Sequence, residues 1–362
     1  MTSLHKATPT SVLIAPLDWG LGHTTRCIPL IAYLLEKKCH VCFAGEEQQI
    51  ELIKKEFPQL SFIPLRGYRI QYPKKGAFFI PKLVCQLPGI IISIVREHQW
   101  LKHNLKLYKW DLVISDNRYG LFSTNSNCIL ITHQPRIITG MGKWIDGIAA
   151  RILKQLIEQF DHCWIPDNNG ENNIAGKLAK GRNQIKNTTF IGPLSRLENT
   201  TPTSSDNILV LLSGPEPQRS ILEELLIKKL RDYHNEVIFI RGLPTVNITL
   251  ESTEQIKFIN HLNSRELSQC LSNAKMVICR SGYSTIMDLL KVRKKALLIP
   301  TPGQSEQGYL AERLSKFGWF RMQQQEELDV IKGISNTLNS SNSQPMLDFE
   351  GFKQAFNKLG IQ

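Results

Sequence analysis

Two widely separated stretches of the chain open with the same pattern of apolar and polar positions. Ser11 to Ala15 is a short, nearly unbroken apolar run. It leads into a glycine-bearing loop, Asp18 to His23, and then into a helical pattern with Ile28, Leu30, Ile31, Leu34 and Leu35 on one face. Asn207 to Leu212 is again an apolar run. It leads into the loop Ser213 to Pro217 and a helical pattern through Ile221, Leu222, Leu225 and Leu226. Strand, tight loop and helix form the opening unit of a doubly wound parallel sheet. Its recurrence predicts two such domains.

Further short apolar runs alternate with helical stretches in both halves. His40 to Ala44, Leu60 to Ile63, Leu112 to Ser115, Ile129 to Thr132 and Thr189 to Ile191 read as strands of the first domain. Val237 to Ile240, Ile256 to Phe258, Met276 to Cys279 and Ala296 to Ile299 read as strands of the second. Continuous rather than alternating apolar runs are expected where helices cover both faces of a sheet. Leu197 to Asp206, rich in Thr, Ser and Pro, reads as the linker. The expected division is residues 1–196, then 207–334. Ser335 to Pro345 reads as a flexible connector, and a last amphipathic helix within 346–362 is expected to pack back on the first domain.

The chain's 362 residues, 42% hydrophobic and 21% charged, suit two soluble domains. The net charge of +12 changes the picture, because it calls for an anionic partner. The excess is concentrated. Between Arg66 and Trp110 stand Arg66, Arg69, Lys74, Lys75, Lys82, Arg96, Lys102, Lys106 and Lys109, with Glu97 as the only carboxylate. That region is either a solvated surface or a functional basic face. It overlaps the longest apolar stretch, Phe78 to Val95, which Pro81, Lys82, Pro88 and Gly89 interrupt. Such a stretch suits an interfacial or buried segment rather than a membrane crossing. Met1 to Thr10 lacks the apolar core of a secretory signal. The eight cysteines, at 27, 39, 42, 85, 128, 163, 270 and 279, match neither a disulfide framework nor a zinc site. They read as small buried hydrophobes in a reducing compartment. No RNA-binding motif supports a nucleic-acid partner.

In open sheets of this kind ligands bind beyond the carboxyl ends of the strands, where helix N-termini present free N–H groups. Four loops qualify. In Gly20-Leu21-Gly22-His23-Thr24-Thr25, the glycines allow close backbone approach and His23 can exchange a proton with a substrate hydroxyl, or else cap the helix. The full dinucleotide fingerprint is absent, since Thr25 replaces its last glycine. In Ser213-Gly214-Pro215-Glu216-Pro217-Gln218-Arg219, backbone amides and a guanidinium can meet a diphosphate, although two prolines remove two donors. Cys279-Arg280-Ser281-Gly282-Tyr283-Ser284-Thr285 can wrap a phosphate, with Asp288 further along the helix to accept hydrogen bonds from a ribose. Pro300 to Gln307 can pair with sugar hydroxyls. No Walker loop, nucleophile elbow, HExxH or DxD triplet stands in the chain. A departing diphosphate would therefore depend on amides, arginine and helix dipoles.

The third and fourth loops carry a resemblance. Val277 to Gly282 with Thr285 and Asp288, followed by Ile299-Pro300 and Gln307, resembles the donor site of the MurG-type glycosyltransferases. The GLGH of the first loop resembles their N-terminal glycine-rich loop. The resemblance runs from about residue 12 to 315. It implies the GT-B architecture: two Rossmann-like domains with the acceptor on the first, a nucleotide sugar (usually UDP-linked) on the second, and the active site in the cleft. By this resemblance Ser281 and Gly282 lie at the diphosphate, Asp288 at the ribose in place of a longer Glu, Gln307 at the donor sugar and Ser264 near the uracil. His23 lies at the acceptor side. Thr132-His133-Gln134 lies near the family's HEQN segment, with His133 where its Glu stands. That alteration, and Ser213-Gly214-Pro215-Glu216 in place of a GGS-type loop, argue against the lipid-linked muramyl peptide as acceptor.

The expectation is then an inverting, metal-independent hexosyl- or N-acetylhexosaminyltransferase that needs no cofactor beyond its nucleotide-sugar donor. His23 or His133 is the expected base. Arg219, Arg280, Ser213, Gly214, Ser264, Ser281, Gly282, Thr285, Asp288 and Gln307 are on the donor side, and Gly20, Gly22 and Gln134 are on the acceptor side. The basic, apolar stretch suggests a cytoplasmic protein that docks on an anionic membrane face and takes a glycolipid or lipid-linked acceptor. GLGHTTRC also resembles the loop of the PseG-type UDP-sugar hydrolases, which keeps hydrolysis open as an alternative. A nucleotide-sugar-binding protein without turnover is a third reading.

Overall fold

The computed structural model describes residues 10–71, 73, 79–135, 142–179, 185–198, 200, 205–248, 250–341 and 343–361. The expectations for Met1 to Pro9, for Lys74, Lys75 and Phe78 of the basic and apolar stretch, and for 199 and 201–204 of the linker lie outside the described residues.

The first seven strands are β1 (Ser11–Pro16), β2 (His40–Gly45), β3 (Ser61–Pro64), β4 (Leu112–Asp116), β5 (Asn127–Ile131), β6 (His162–Ile165) and β7 (Thr188–Phe190). They form one parallel sheet in the order β3-β2-β1-β4-β5-β6-β7. The helices of this half are α1 (Gly22–Glu36), α2 (Glu47–Glu56), α3 (Phe79–Asn104) and α4 (Lys143–Ile157). The order reverses at β1 and β4, so the loops after these two strands flank the crevice where ligands enter such sheets. Both loops bear on the site described below.

The second sheet contains β8 (Ile208–Leu211), β9 (Val237–Ile240), β10 (Ile256–Ile259), β11 (Met276–Cys279), β12 (Ala296–Leu298) and β13 (Arg321–Met322). It is also parallel, in the order β10-β9-β8-β11-β12-β13. Its helices are α5 (Gln218–Leu230), α6 (Ser264–Asn273), α7 (Tyr283–Lys291), α8 (Ser305–Lys316) and α9 (Val330–Leu338). Strands β1, β8 and β11 are buried almost end to end, which is why they read as unbroken apolar runs.

Two strands escaped the apolar pattern. β6 is four residues long and opens on a polar His, and β13 has two residues. The expected connector from Ser335 is corrected in part. Val330, Ile334 and Thr337 are buried at helical spacing, so α9 continues to Leu338 while Ser335 and Asn336 face solvent.

The last helix, α10 (Gly351–Lys358), lies on the first domain. Phe356 stacks on Tyr33 at 5.6 Å between ring centroids and meets the edge of Trp164 at 4.9 Å. Tyr33 Oη donates to Asn357 Oδ1 at 3.0 Å. The approach of this segment requires Gly192, where an added Cβ would lie 2.0 Å from the Asp348 carbonyl oxygen. The chain thus crosses from the second domain back to the first and ties them at a second point.

Candidate active site

The crevice of the first sheet and the α7 end of the second sheet face each other, and the contact is close. Gly22, at the start of α1, accepts a hydrogen bond at its carbonyl from Ser284 Oγ of α7 at 2.8 Å. A Cβ on Gly22 would lie 3.0 Å from that hydroxyl oxygen. Glycine therefore eases the approach of one domain's loop to the other domain's helix, since a Cβ here would make the Ser284 side chain give by a few tenths of an ångström. Gly20 has a different role: its φ of +78° turns the loop, and a Cβ there would meet nothing. Gly282 stands before α7 without a side-chain cap, so the amides of that helix end are available to an anion.

Behind the loop lies a buried polar cluster. Asp116 closes β4 and is fully buried. Arg26, one turn beyond His23 on α1, donates from Nε to Asp116 Oδ2 at 2.5 Å and from Nη2 to Asp116 Oδ1. Burial alone would raise the Asp116 carboxyl, but the Arg26 guanidinium, the foremost opposing influence, holds it well below the usual carboxylate range. The same guanidinium reaches two histidines: Nη2 lies 2.8 Å from His23 Nδ1, and Nη1 lies 3.2 Å from His133 Nδ1. His23 Nδ1 also lies 3.1 Å from Asp116 Oδ1. Burial, and then the Arg26 charge, push the His23 pKa below its ordinary value. His133 stacks on Tyr283 at 4.1 Å between centroids, and its Nε2 meets Glu306 Oε1 of α8 at 2.8 Å, across the domain junction. Burial works to raise the Glu306 carboxyl, but His133 and the Gln134 side chain outweigh it and pull it down. Both expected bases and Gln134 thus converge on one place.

The expected donor-side residues divide into two groups. Ser264, Ser281, Gly282, Asp288 and Gln307 lie at the carboxyl-end loops of the second sheet or on the helices that follow them, and several already have partners. Ser281 Oγ donates to the Gln307 carbonyl at 2.9 Å, while the Gln307 carboxamide oxygen accepts from Thr301 N at 2.9 Å. Ser264 donates from both N and Oγ to Glu56 Oε1 of the first domain, at 2.8 and 2.7 Å. Asp288 accepts from Ser195 Oγ at 2.6 Å. Burial pushes its carboxyl up to about 6, against the pull of Arg196 and Ser195. Thr285 lies on α7, and Ser213 and Gly214 lie in the loop after β8.

The two expected arginines are turned elsewhere. Arg219 bonds Glu216 at 2.6 Å, Glu223 at 3.1 Å, the Arg241 carbonyl and Ser220 Oγ. Arg280 is buried and donates to the carbonyls of Ile299, Pro300 and Gln218. Both brace loops, and neither guanidinium is free to turn to a diphosphate without giving up these bonds.

Several site residues went unread in the sequence. Arg26 stands three residues after His23, on the same face of α1, and Asp116 ends an apolar strand at its carboxyl end. Helical spacing and a terminal carboxylate were the available signals. Glu306 stands beside Gln307 in the loop already singled out. Arg196 gave no signal. It follows the first domain's last strand, in an extended segment, and its Nε and Nη1 are shielded from solvent with no hydrogen-bond partner among the described residues. It lies near enough to Asp288 and Glu56 to feel both charges. Among the described residues no group of three or more His, Cys, Asp or Glu is arranged to hold a metal ion.

Two parallel α/β domains that meet through strand-end loops define the GT-B class. Solved structures of that class share the fold over nearly the whole chain. The kitacinnamycin glycotransferase superposes with a TM-score of 0.64 at 14% identity, covering 91% of each chain. MurG of Acinetobacter baumannii superposes with a TM-score of 0.52 at 14% identity, over 97% of this chain and 99% of its own. Residues 219–359 match the glycosyltransferase family 28 C-terminal domain. The chain is also 23% identical, over 90% of its length and 88% of the relative's, to the UDP-N-acetylglucosamine–N-acetylmuramyl-(pentapeptide) pyrophosphoryl-undecaprenol N-acetylglucosamine transferase of Histophilus somni (strain 129Pt). The resemblance to the MurG-type enzymes is borne out as a resemblance, and residues 219–359 are similar to the C-terminal domain of family 28 glycosyltransferases.

Proposed function

We propose that the chain transfers a sugar from a UDP-sugar to a hydroxyl of a lipid-linked or glycolipid acceptor, with inversion at the anomeric carbon and without a metal ion. One juxtaposition supports this above all: the uncapped N-terminus of α7 stands directly against the glycine-rich loop that bears His23. An anion seated on those amides has its outer end beside the first domain's crevice, where an acceptor enters. In this reading the ribose lies at Asp288, the diphosphate at Ser281, Gly282 and the α7 amides, and the sugar at Gln307. Arg196 supplies the free guanidinium that Arg219 and Arg280 do not, because its shielded nitrogens lack partners among the described residues. The name of the Histophilus somni relative supports UDP-N-acetylglucosamine as donor and a polyprenyl-linked acceptor.

The acceptor side has an exposed apolar surface suited to a lipid. On α3, Val84, Leu87, Ile91, Ile92 and Val95 are each 43–61% exposed at helical spacing, with Arg96 and Lys102 also exposed. On α4, Trp144, Ile148 and Ile152 form a second exposed row. Among the described residues no helix is long and apolar enough to cross a membrane, so these rows suit docking on an anionic membrane face.

Thermal-shift titration with UDP, UDP-N-acetylglucosamine and other nucleotide sugars tests the reading, together with UDP release in the presence of polyprenyl-linked acceptor. Stabilisation by UDP and one UDP-sugar, with an affinity about tenfold weaker in Arg196→Met, is the expected result. No shift with any nucleotide would overturn the donor assignment. Free sugar released from donor alone, unaffected by acceptor, would identify a hydrolase instead.

A further inference from the structure

We infer that Arg26 sets the protonation pattern of both cleft histidines: its guanidinium holds His23 Nδ1 and His133 Nδ1 as acceptors, so each neutral imidazole carries its hydrogen on Nε2. An arginine side chain has donors only and stays charged in proteins. Its pairing with Asp116 raises the Arg26 pKa further, against the opposing effect of burial. Nη2 has two hydrogens and two neighbours, Asp116 Oδ1 and, at 2.8 Å, His23 Nδ1. Nε is taken by Asp116 Oδ2, and Nη1 points to His133 Nδ1 at 3.2 Å. A hydrogen on either Nδ1 would set two donors against each other with no lone pair between them.

The 3.1 Å separation of His23 Nδ1 from Asp116 Oδ1 is then the gap between two acceptors that share one donor nitrogen. For His133 the pattern continues outward, since Nε2–H donates to Glu306 Oε1 at 2.8 Å. The other charged and titratable groups around the cluster are consistent. Cys27 Sγ lies 3.9 Å from Asp116 Oδ2 with its thiol held well above the ordinary range, first by burial and then by Asp116. Tyr283 is likewise held neutral, first by burial and then by Asp167.

The consequence rests on the sugar-transfer reading. In this arrangement His23 meets an acceptor hydroxyl as a donor to its oxygen. It orients that oxygen and does not remove its proton. His133 is occupied at both nitrogens. Arg26 is a positioning residue that acts through the two imidazoles.

The tautomers are directly measurable without turnover. The full-length protein, labelled with ¹⁵N in its histidine rings, is examined by long-range ¹H–¹⁵N correlation at neutral pH, with His23→Gln and His133→Gln spectra providing the assignments. Both rings are expected to show unprotonated Nδ1 and protonated Nε2. Protonated Nδ1 on His23, the form an ordinary His–Asp pair would take, overturns the inference. In Arg26→Met, His23 is expected to switch to Nδ1–H against Asp116, and an unchanged tautomer removes the assigned role from Arg26. If that variant does not fold, Arg26→Lys, which keeps the charge and loses the fork, must disturb at least one of the two rings, and the wild-type spectrum decides on its own. Failure here leaves nucleotide binding and transfer untouched, and those are tested separately by the donor titration.

Discussion

Replacing Asp288 with Asn should stabilise the unliganded protein while weakening its hold on the donor. The Asp288 carboxyl is buried and its pKa is pushed up to about 6 from an ordinary 3.8, a value that already includes the opposing attraction of Arg196 and the Ser195 hydrogen bond. The folded form therefore holds its proton more tightly than the unfolded chain does. Whatever stability the neutral carboxyl supplies is fully present below the unfolded pKa and is lost as the pH rises through about 6. At pH 8 the ionised carboxylate costs roughly 3 kcal/mol relative to a neutral group in the same place. Asparagine is neutral at every pH and keeps an oxygen for Ser195 Oγ.

Chemical denaturation of wild type and Asp288→Asn, followed through the transition of the second domain, should show the variant ahead by up to about 3 kcal/mol at pH 8. The two should converge as the pH falls toward 4. Other ionisable groups titrate alike in both proteins and cancel. A nucleotide whose ribose hydroxyl donates to this carboxylate should bind about tenfold more weakly to the variant, because a charge-assisted bond becomes a neutral one. A variant less stable than wild type at both pH values would refute the burial argument. A more stable variant with unchanged nucleotide affinity would place the ribose elsewhere.

Three further outcomes are expected. Gly22→Val puts a branched side chain where even a Cβ lies 3.0 Å from Ser284 Oγ; it should cost about 1–3 kcal/mol in the domain contact, seen as a lower melting temperature and weaker nucleotide stabilisation. Glu306→Ala removes the partner of His133 Nε2 across the junction; it should widen the cleft, read as a larger radius of gyration in small-angle scattering, with about 1–3 kcal/mol lost from a bond that is largely shielded. Ile91→Ser combined with Trp144→Ser should reduce flotation with anionic vesicles at low salt severalfold while leaving nucleotide affinity intact; equal flotation of wild type and variant would show that the α3 and α4 rows do not dock on lipid.

The parts of the architecture that the sequence made legible are those where burial is one-sided in cause. Val237–Ile240 and Met276–Cys279 are central strands covered on both faces, and their apolar runs match their ends residue for residue. β6 and α9 were lost where that logic weakens. His162 begins a short strand, and the outer face of α9, with Lys332, Ser335 and Asn336, leads into a Ser- and Asn-rich stretch that hides its apolar inner face. The loops of the site could be read for the same reason the fold could, since glycines and helix starts follow strand ends. Which side chain faces which could not. Arg219 stood in a phosphate-type loop, but Glu216 and Glu223, three residues before and four after it, take its guanidinium first. Arg196 has Glu198 two residues on in sequence, yet the carboxylates whose charges it feels in the fold are Asp288 and Glu56, which only the tertiary structure brings near.

If the donor seats as proposed, the hydrogen bonds its expected contacts already make constrain how it enters. Ser264 is held by Glu56, Asp288 by Ser195 and the Gln307 carboxamide by the Thr301 amide. The first of these partners belongs to the first domain, and the second to the segment that leaves it. A ribose or base that takes over Asp288 and Ser264 must therefore displace contacts that also hold the domains together. Each exchanged bond returns about as much as it removes, so the free energy of donor binding has to come from groups that have no partner now: the α7 amides and the shielded nitrogens of Arg196. This makes affinity depend on the diphosphate more than on the sugar or base, and it couples donor entry to loosening of the Glu56–Ser264 contact. On the proposed assignment domain opening is part of the binding step, and the Gly22–Ser284 contact can close again over a bound diphosphate because both groups stand beside the helix end proposed to hold it.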